Sequence, residues 1–317
     1  MDKEQLWTKQ PGFALYTTYT IPKALIKLPC PMILYTSPIS SLSANGHSNS
    51  RLLFEYASVV ELSIPPSLRQ GKEGDRFVII APPDNGTHSI YRDVASTNTS
   101  TTCPVPIGGT WFLSPFRTHH HQPSNSKVLL HFHGGAYVLF DCRDHDMAFG
   151  ARLLLEASPA GSAGLCPQYR LGSTPPPSGG ADHRFPAALQ DAITAYAHLV
   201  LQLRVPAQDI VLSGGSAGGN LTLALLRCLC EGEGETGALG SGGHGLPQPG
   251  GVLLWSPWMD PMVRPETLAA REEDRFGLVP PRLVEWALKV FLPEEMGVDG
   301  EWGNMCEDPY ISPVKRL

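Results

Sequence analysis

Apolar residues follow two kinds of pattern along this chain. Short continuous apolar runs predict buried strands over residues 76–81, 109–113, 127–133, 209–215 and 251–256, and a further strand ends at Tyr169. Longer stretches with apolar residues at helical spacing predict helices over residues 51–62, 143–158, 185–203, 217–230 and 281–291. Because strands alternate with helices, we expect an α/β fold with a mostly parallel sheet flanked by helices.

An apolar stretch near the N-terminus, residues 13–36, does not fit this alternation. Three prolines interrupt it and two lysines lie inside it, whereas a spanning helix needs about 20 mostly apolar residues without such breaks. We interpret the stretch as a buried or cap helix. Contact with a lipid or membrane surface is the alternative that the pattern leaves open.

The amino-acid composition argues against several classes of protein. The 317 residues are 42% hydrophobic and 17% charged, and the net charge is −6, which is typical of a globular enzyme and gives no basic face for a nucleic acid. The seven cysteines are odd in number and scattered, which argues against a disulfide framework or a zinc site. The first residues lack the apolar core of a secretory signal, so we expect a cytoplasmic protein.

The strongest local motif is a GxSxG pentapeptide at residues 214–218, with a further glycine at 219. It follows an apolar predicted strand and precedes a predicted helix, the context in which a serine nucleophile occupies a sharp turn. Small neighbours are needed there because a side chain would collide with the tight backbone or with the acyl group. We therefore predict Ser216 as a nucleophile, and a glycine-rich turn without chemistry is the alternative.

A second motif, His133-Gly134-Gly135-Ala136, ends the third predicted strand. Ester hydrolysis passes through an oxyanion, which needs two or three backbone N–H donors held in place. We assign the donors to Gly135, Ala136 and Ala217, with Gly134 as support, and expect His133 to orient the loop rather than to act as a base. A simple glycine turn is again the alternative.

Five sequence segments occur in an order that points to one family. They are HFHGGAY at 131–137, YRLG…FPAALQDA at 169–192, GGSAGGN at 214–220, SPWMD at 256–260 and DPYISP at 308–313. Together they resemble the hormone-sensitive-lipase-like branch of the α/β-hydrolases, particularly its fungal members, over roughly residues 71–313.

The resemblance implies a carboxylic-ester hydrolase with a small-molecule ester substrate, no cofactor and no metal. It also implies an N-terminal helical cap, so we expect a cap region over residues 1–70 and an α/β-hydrolase domain over 71–317, in which 261–310 add cap helices. Two positions depart from the family pattern: Gly215, where an acidic residue is usual, and Ala136, where glycine is common.

In this fold the triad acid and histidine follow the serine along the chain. We identify neither, and we expect the chain to end before the strands that would carry them. His244 lies in a glycine-rich loop before the last predicted strand, and Asp260 belongs to the SPWMD segment and is interpreted as structural or pocket-lining. His145 and the Asp182-His183 pair are the alternatives for this role, but a base must lie within about 3 Å of the serine.

Three consecutive histidines, 119–121, lie in a Pro/Ser-rich loop with no carboxylates nearby. Metal ligands would need such partners, so we interpret them as solvated loop residues rather than as a metal site.

Two functions remain open from the sequence alone. One is ester hydrolysis through an acyl-Ser216 intermediate on an apolar substrate of medium size, an expectation motivated in part by Trp286 and Phe291, which could instead only pack the cap. The other is a truncated or non-catalytic relative that binds an apolar ligand. We also expect the strand at 252–256 to lie at a sheet edge and to allow self-association, unless residues 261–317 cover it.

Overall fold

The computed structural model describes residues 66–83, 90–96, 102–113, 126–172, 183–231, 245–261, 279–293 and 308–316, apart from 92 and 145, together with 54, 57–59, 61 and 63. The apolar stretch at 13–36 lies outside the described residues. So do His119–121, His145, Asp182 and His244. The boundary expected near residue 70 stays a prediction.

Six strands form one sheet in the order β1-β2-β4-β3-β5-β6. They are β1 (Phe77–Ile80), β2 (Ile107–Phe112), β3 (Val128–Phe132), β4 (Ala163–Gln168), β5 (Ile210–Gly215) and β6 (Gly251–Trp255). Each overlaps a predicted strand, and the three pairings among β3, β4, β5 and β6 are parallel. The prediction of an α/β fold with a mostly parallel sheet is confirmed.

The pairings of β2 are antiparallel on both sides, with β1 and with β4. The sequence pattern did not predict this reversal, because apolar runs show where strands lie but not which way neighbouring strands point. A parallel pair needs a crossover, usually through a helix, whereas an antiparallel pair does not. Between β1 and β2 the described residues contain only a short 3-10 helix, Asp93–Ala95.

Four α-helices are described with both ends: α1 (Ala148–Glu156), α2 (Ala187–Ala197), α3 (Ala217–Glu231) and α4 (Pro281–Phe291). Residues 54 and 57–59 are also helical, within the helix predicted over 51–62. A π-helical turn, His198–Gln202, continues α2 to nearly the predicted length. Within the described part of the chain, no helix is long and apolar enough to cross a membrane.

The first helix begins five residues later than predicted. Asp141 and Asp146 side chains accept hydrogen bonds from the backbone N–H groups of Arg143 and Asp141, at 2.9 and 2.8 Å. Short acidic side chains compete in this way with helical hydrogen bonds, so residues 141–144, 146 and 147 are not part of the helix.

The outer edge of β6 is one end of the sheet, as predicted. Within the described residues β6 pairs only with β5, and Leu253 and Leu254 are 45% and 37% exposed. Residues 262–278 and 294–307, which were expected to be able to cover this edge, lie outside the described residues. Self-association through β6 therefore stays a prediction.

A buried ion pair connects the YRLG segment to the FPAALQDA segment. Arg170 follows β4 and Asp191 lies on α2, and their side chains are 7% and 0% exposed. The guanidinium Nε lies 3.0 Å from both carboxylate oxygens of Asp191, and the backbone N–H of Arg170 donates to the same carboxylate at 2.7 Å. These segments therefore fasten α2 to the end of β4.

Asp191→Ala should lower the free energy of unfolding by about 3–5 kcal/mol, because Arg170 would stay buried without its counter-charge. Urea denaturation measures the loss. The matched control is Asp209→Ala, which removes the partner of Lys127 from a pair whose side chains are 33% and 40% exposed. Water screens such a pair, so the control should lose at most about 1 kcal/mol. Equal losses of unfolding free energy in the two variants would show that the buried Arg170–Asp191 pair stabilises the fold no more than the exposed pair does.

Candidate active site

Ser216 lies in the turn between β5 and α3, as predicted, and its side chain is exposed. Its φ of +51° belongs to the left-handed region that L-residues seldom adopt. The surrounding backbone holds this conformation. The N–H of Ser216 donates to Trp255 O at 3.1 Å, and its carbonyl accepts from the N–H groups of Asn220 and Trp258 at 3.0 and 2.9 Å. The serine is therefore presented at the N-terminus of α3, where negative charge is stabilised.

Packing explains two of the glycines around Ser216. A Cβ on Gly218 would lie 2.2 Å from Phe132 O, and one on Gly214 would lie 2.2 Å from Gly218 O. Both are main-chain atoms, so neither position has room for a side chain. A Cβ on Gly215 would meet nothing closer than Trp255 O at 3.6 Å. Glycine at 215, where the family usually has an acid, is therefore not required by packing.

The loop after β3, residues 133–140, lies directly against this turn. It is named the oxyanion loop after the role that the sequence predicts for its N–H groups. Strands β3 and β5 are parallel neighbours, with Phe132 opposite Gly214, so both motifs emerge at the same edge of the sheet. A Cβ on Gly134 would lie 3.4 Å from Ser216 Cβ. The fold thus brings the HGGA motif to the predicted nucleophile.

The backbone of the oxyanion loop is strained. Gly135, Ala136 and Tyr137 have φ values of +113°, +54° and +62°, and a non-glycine residue in this region costs roughly 1–2 kcal/mol. No described residue accepts a hydrogen bond from the N–H groups of Gly135 or Ala136. Ala217 is the first residue of α3, where N–H groups have no partner inside the helix. The geometry accords with the predicted donors, whose role stays a prediction.

His133 is buried beneath the oxyanion loop, with 1% of its surface exposed. Its Nδ1 lies 2.6 Å from Gly134 O, and its ring stacks on Tyr169 with centroids 4.3 Å apart. Burial lowers the pKa of His133 to about 4, so the ring is neutral near pH 7. Since a carbonyl only accepts, Nδ1 carries the proton and donates it to Gly134 O. This contact accords with the expectation that His133 orients the loop.

Asn220, which the sequence did not single out, is the polar centre of the site. Its Oδ1 accepts from the Tyr137 hydroxyl at 2.7 Å, and its Nδ2 donates to Trp258 O at 2.8 Å and Ile311 O at 2.9 Å. It is fully buried. The available signal was its position in GGSAGGN, which places an amide in the first turn of α3. The side chain joins the oxyanion loop to the SPWMD and DPYISP segments.

Asp260 takes part in the same connection between segments. Its Oδ1 accepts a hydrogen bond from Ser312 Oγ at 3.0 Å, and Val314 N donates to Met259 O at 3.3 Å. These contacts fasten the DPYISP segment to the SPWMD segment. They fit the structural interpretation of Asp260.

The described histidines all bond to groups other than Ser216. His131 Nδ1 lies 3.1 Å from Ser213 Oγ, His183 Nδ1 lies 3.1 Å from Leu171 O, and His198 Nδ1 lies 2.7 Å from Gln202 Oε1. Within the described ranges, no histidine forms a hydrogen bond with the Ser216 hydroxyl. The triad acid and base therefore remain unassigned.

The two aromatic residues expected to line a pocket are buried instead. Trp286 and Phe291, on α4, are 1% and 4% exposed. Phe291 stacks on Tyr137 with ring centroids 4.2 Å apart, and Trp286 packs in an apolar cluster with Phe54 and Ala136. For these two residues the alternative interpretation, packing of the protein interior, fits the structure.

The comparison that decides the family covers more than half of the chain. A profile of the alpha/beta hydrolase fold family matches residues 129–316, which include the oxyanion loop and Ser216. This chain belongs to the alpha/beta hydrolase fold family. The closer placement among fungal members stays a prediction.

Two relatives of this chain carry names that refer to acetyl hydrolysis. An acetyl-hydrolase of Streptomyces hygroscopicus is 32% identical over 43% of this chain and 37% of that protein. The putative acetyl-hydrolase LipR of Mycobacterium tuberculosis is 29% identical over 59% of this chain and 54% of that protein. The chain thus spans about half or less of the length of these curated relatives.

Among solved structures, an esterase from Pyrobaculum calidifontis is similar to this chain. The two share 20% identity over 90% of this chain and 73% of that chain, with a TM-score of 0.49.

Proposed function

We propose that this hydrolase cleaves carboxylic esters through a covalent acyl-Ser216 intermediate. The observation that carries the proposal is the juxtaposition of an exposed serine at a positive-φ turn with the oxyanion loop, whose Gly134 would place a Cβ 3.4 Å from Ser216 Cβ. Membership of the alpha/beta hydrolase fold family and the names of the bacterial relatives support the same reaction.

In the proposed reaction Ser216 Oγ attacks the ester carbonyl carbon and a C–O bond forms. The carbonyl π electrons move to oxygen, and this oxyanion accepts hydrogen bonds from the N–H groups of Gly135, Ala136 and Ala217. Collapse expels the alcohol, which takes the proton lost by the serine. Water then attacks the acyl carbon, the bond from that carbon to Ser216 Oγ breaks, and Oγ regains a proton from the water as the acid leaves. The group that carries the proton between serine and alcohol is not assigned to a residue.

The oxyanion donors should dominate the rate enhancement of this site. They are backbone groups in a strained loop and at a helix N-terminus, so they need not reorganise when negative charge develops. Loss of one such donor costs about 10²–10³ in kcat in a well-built site. The names of the two relatives make acetyl esters the first substrates to test.

Intact-mass analysis with an organophosphonate probe tests the covalent step. We expect a single adduct on the 317-residue chain and none on Ser216→Ala, because the phosphorus replaces the carbonyl carbon as the electrophile. Ser213→Ala is the matched control, since Ser213 lies on β5, three residues before Ser216, but is fully buried, and it should still be labelled. An adduct that persists on Ser216→Ala would exclude this serine as the nucleophile.

A second candidate function is binding of an ester-like ligand with little turnover. It is favoured by one observation: within the described part of the chain no histidine bonds to Ser216. Enzymes of this type that lose triad members keep about 10³–10⁴-fold acceleration over water. Slow release of p-nitrophenol from an activated ester would therefore fit both functions. Turnover of an unactivated ester near the enzyme median of about 10 per second would exclude the second.

A further inference from the structure

The structure points to a positioning role for one hydrogen bond, between the Tyr137 hydroxyl and the Asn220 side chain. We propose that this bond sets the oxyanion loop against the nucleophile turn and so fixes where the N–H groups of Gly135 and Ala136 lie relative to Ser216. The effect on catalysis rests on the proposed function, but the effect on the loop itself does not.

The oxyanion loop needs a restraint because its backbone is held in an unfavourable conformation. Three consecutive residues, from Gly135 to Tyr137, have positive φ, and two of them carry side chains. Such conformations persist only where the surrounding structure enforces them. Within the loop, the N–H groups of Val138 and Leu139 both donate to Gly135 O, at 3.0 and 2.9 Å. These bonds shape the turn but do not attach it to the nucleophile.

The attachment passes through Tyr137, the third strained residue. Its ring stacks on Phe291, its carbonyl accepts from Gly172 N at 2.9 Å, and its hydroxyl lies 2.7 Å from Asn220 Oδ1. Of these contacts, only the last reaches the element that carries Ser216. Asn220 lies in the first turn of α3, and its backbone N–H donates to Ser216 O at 3.0 Å. A single residue, Asn220, therefore links the Tyr137 hydroxyl to the backbone of Ser216.

The direction of the bond is determined by its partners. Burial raises the pKa of Tyr137 well above its ordinary value, so the hydroxyl keeps its proton and donates. Asn220 must accept, since its Nδ2 is occupied by two carbonyl oxygens, those of Trp258 and Ile311. An aspartate at position 220 would turn a carboxylate oxygen toward those two carbonyls. The amide is therefore the side chain that satisfies all three contacts.

Loosening this bond should affect the transition state more than substrate binding. The oxyanion forms during the reaction, and its donors stabilise it only when they lie within about 2.7–3.1 Å of that oxygen. A loop that relaxes even slightly loses this alignment, while the ground-state ester depends on it less. A positioning role therefore predicts a lower kcat with little change in KM.

Tyr137→Phe removes the hydroxyl and keeps the ring, and Tyr91→Phe is the matched control. The Tyr91 hydroxyl is also buried and lies 2.8 Å from a side-chain oxygen, that of Thr194 on α2 rather than a group beside Ser216. Amide hydrogen exchange followed by mass spectrometry reports opening of the 133–140 segment in each variant. We expect exchange there to rise about tenfold or more in Tyr137→Phe and to stay unchanged in Tyr91→Phe.

The chemical readout is the rate of phosphonate labelling and of p-nitrophenyl acetate turnover. Tyr137→Phe should lower the labelling rate and kcat by about 10- to 100-fold, with KM within about threefold. Tyr91→Phe should change neither beyond about twofold. Unchanged exchange in the 133–140 segment, or an equal increase in both variants, would overturn the positioning role.

Failure of the proposed function gives a different result. If the unaltered chain neither turns over esters nor takes the phosphonate, the covalent chemistry is wrong, while the exchange data still decide whether the bond holds the loop. Should Tyr137→Phe lose its cooperative thermal transition, Asn220→Gln replaces it, because this variant displaces the same carboxamide by one methylene. Asn220→Gln must then show the same rise in amide exchange in the 133–140 segment. If exchange there does not rise, the proposal is equally overturned.

Discussion

Acidification from pH 6.5 to 4.5 should lower the free energy of unfolding of this chain by about 4.5 kcal/mol through two buried histidines. Burial, with a smaller contribution from neighbouring His133, lowers the pKa of His131 to about 3. Burial, partly opposed by the hydrogen bond to Gly134 O, lowers the pKa of His133 to about 4. In the unfolded chain both should titrate near the ordinary value of about 6.5.

The sign follows from proton binding. Below pH 6.5 the unfolded chain takes up two protons that the folded protein does not bind until its lower pKa values are reached. The unfolded state is therefore favoured progressively, and stability falls as the pH falls. Two protons give a slope of about 2.7 kcal/mol per pH unit. The loss is comparable with the whole stability of a typical domain, about 5–15 kcal/mol.

Urea denaturation at a series of pH values measures this slope. His131→Gln removes one of the two ionisable rings, so the slope between pH 6.5 and 4.5 should fall by about half, to near 1.4 kcal/mol per pH unit. An identical slope in His131→Gln and in the unaltered chain would show that His131 does not carry the effect.

Gly218→Ala is expected to prevent stable folding. The added Cβ would lie 2.2 Å from Phe132 O and 2.3 Å from His133 O, and both are backbone atoms where β3 meets the oxyanion loop. Neither can rotate away, so β3 and α3 would have to separate. Overpacking of this kind usually lowers the free energy of unfolding by about 1–3 kcal/mol. We expect a loss of more than about 4 kcal/mol, because the new Cβ would clash with two main-chain carbonyl oxygens.

The matched control is Gly215→Ala, three residues earlier. Its Cβ would meet Trp255 O at 3.6 Å, an ordinary contact. The φ of Gly215 is not in the positive region, so alanine fits the backbone and should change stability by less than about 1 kcal/mol. Thermal melts and soluble yield compare the two variants. A soluble Gly218→Ala protein with the melting temperature of Gly215→Ala would contradict the packing argument.

Much of the local structure could be predicted because it depends on local pattern. The apolar runs that form β3, β5 and β6 are short and continuous, as buried strands require, and the structure places all three within a few residues of the prediction. The GxSxG spacing predicted a strand–turn–helix, and Ser216 lies at that turn with positive φ. The need for glycine at 214 is likewise local, because a Cβ there would clash with Gly218 O in the same turn.

Other features could not be read from the pattern. The reversal of β2 depends on which strands it pairs with, and apolar periodicity carries no direction. The late start of α1 depends on acidic side chains that accept hydrogen bonds from backbone N–H groups. The apolar spacing at these positions still indicates a helix, so the pattern does not reveal the competition. Trp286 was expected near a pocket because of its residue type, yet it is 1% exposed.

The sequence by itself determined the order of elements, the motif that places Ser216 between a strand and a helix, and the glycines that let the backbone approach closely. Only the tertiary structure decided that the oxyanion loop meets this turn, since that depends on β3 and β5 being parallel neighbours. It alone joined Tyr137 to Asn220 across 83 positions of sequence. Such contacts follow from strand order and long-range packing, which no local pattern of apolar and polar residues records.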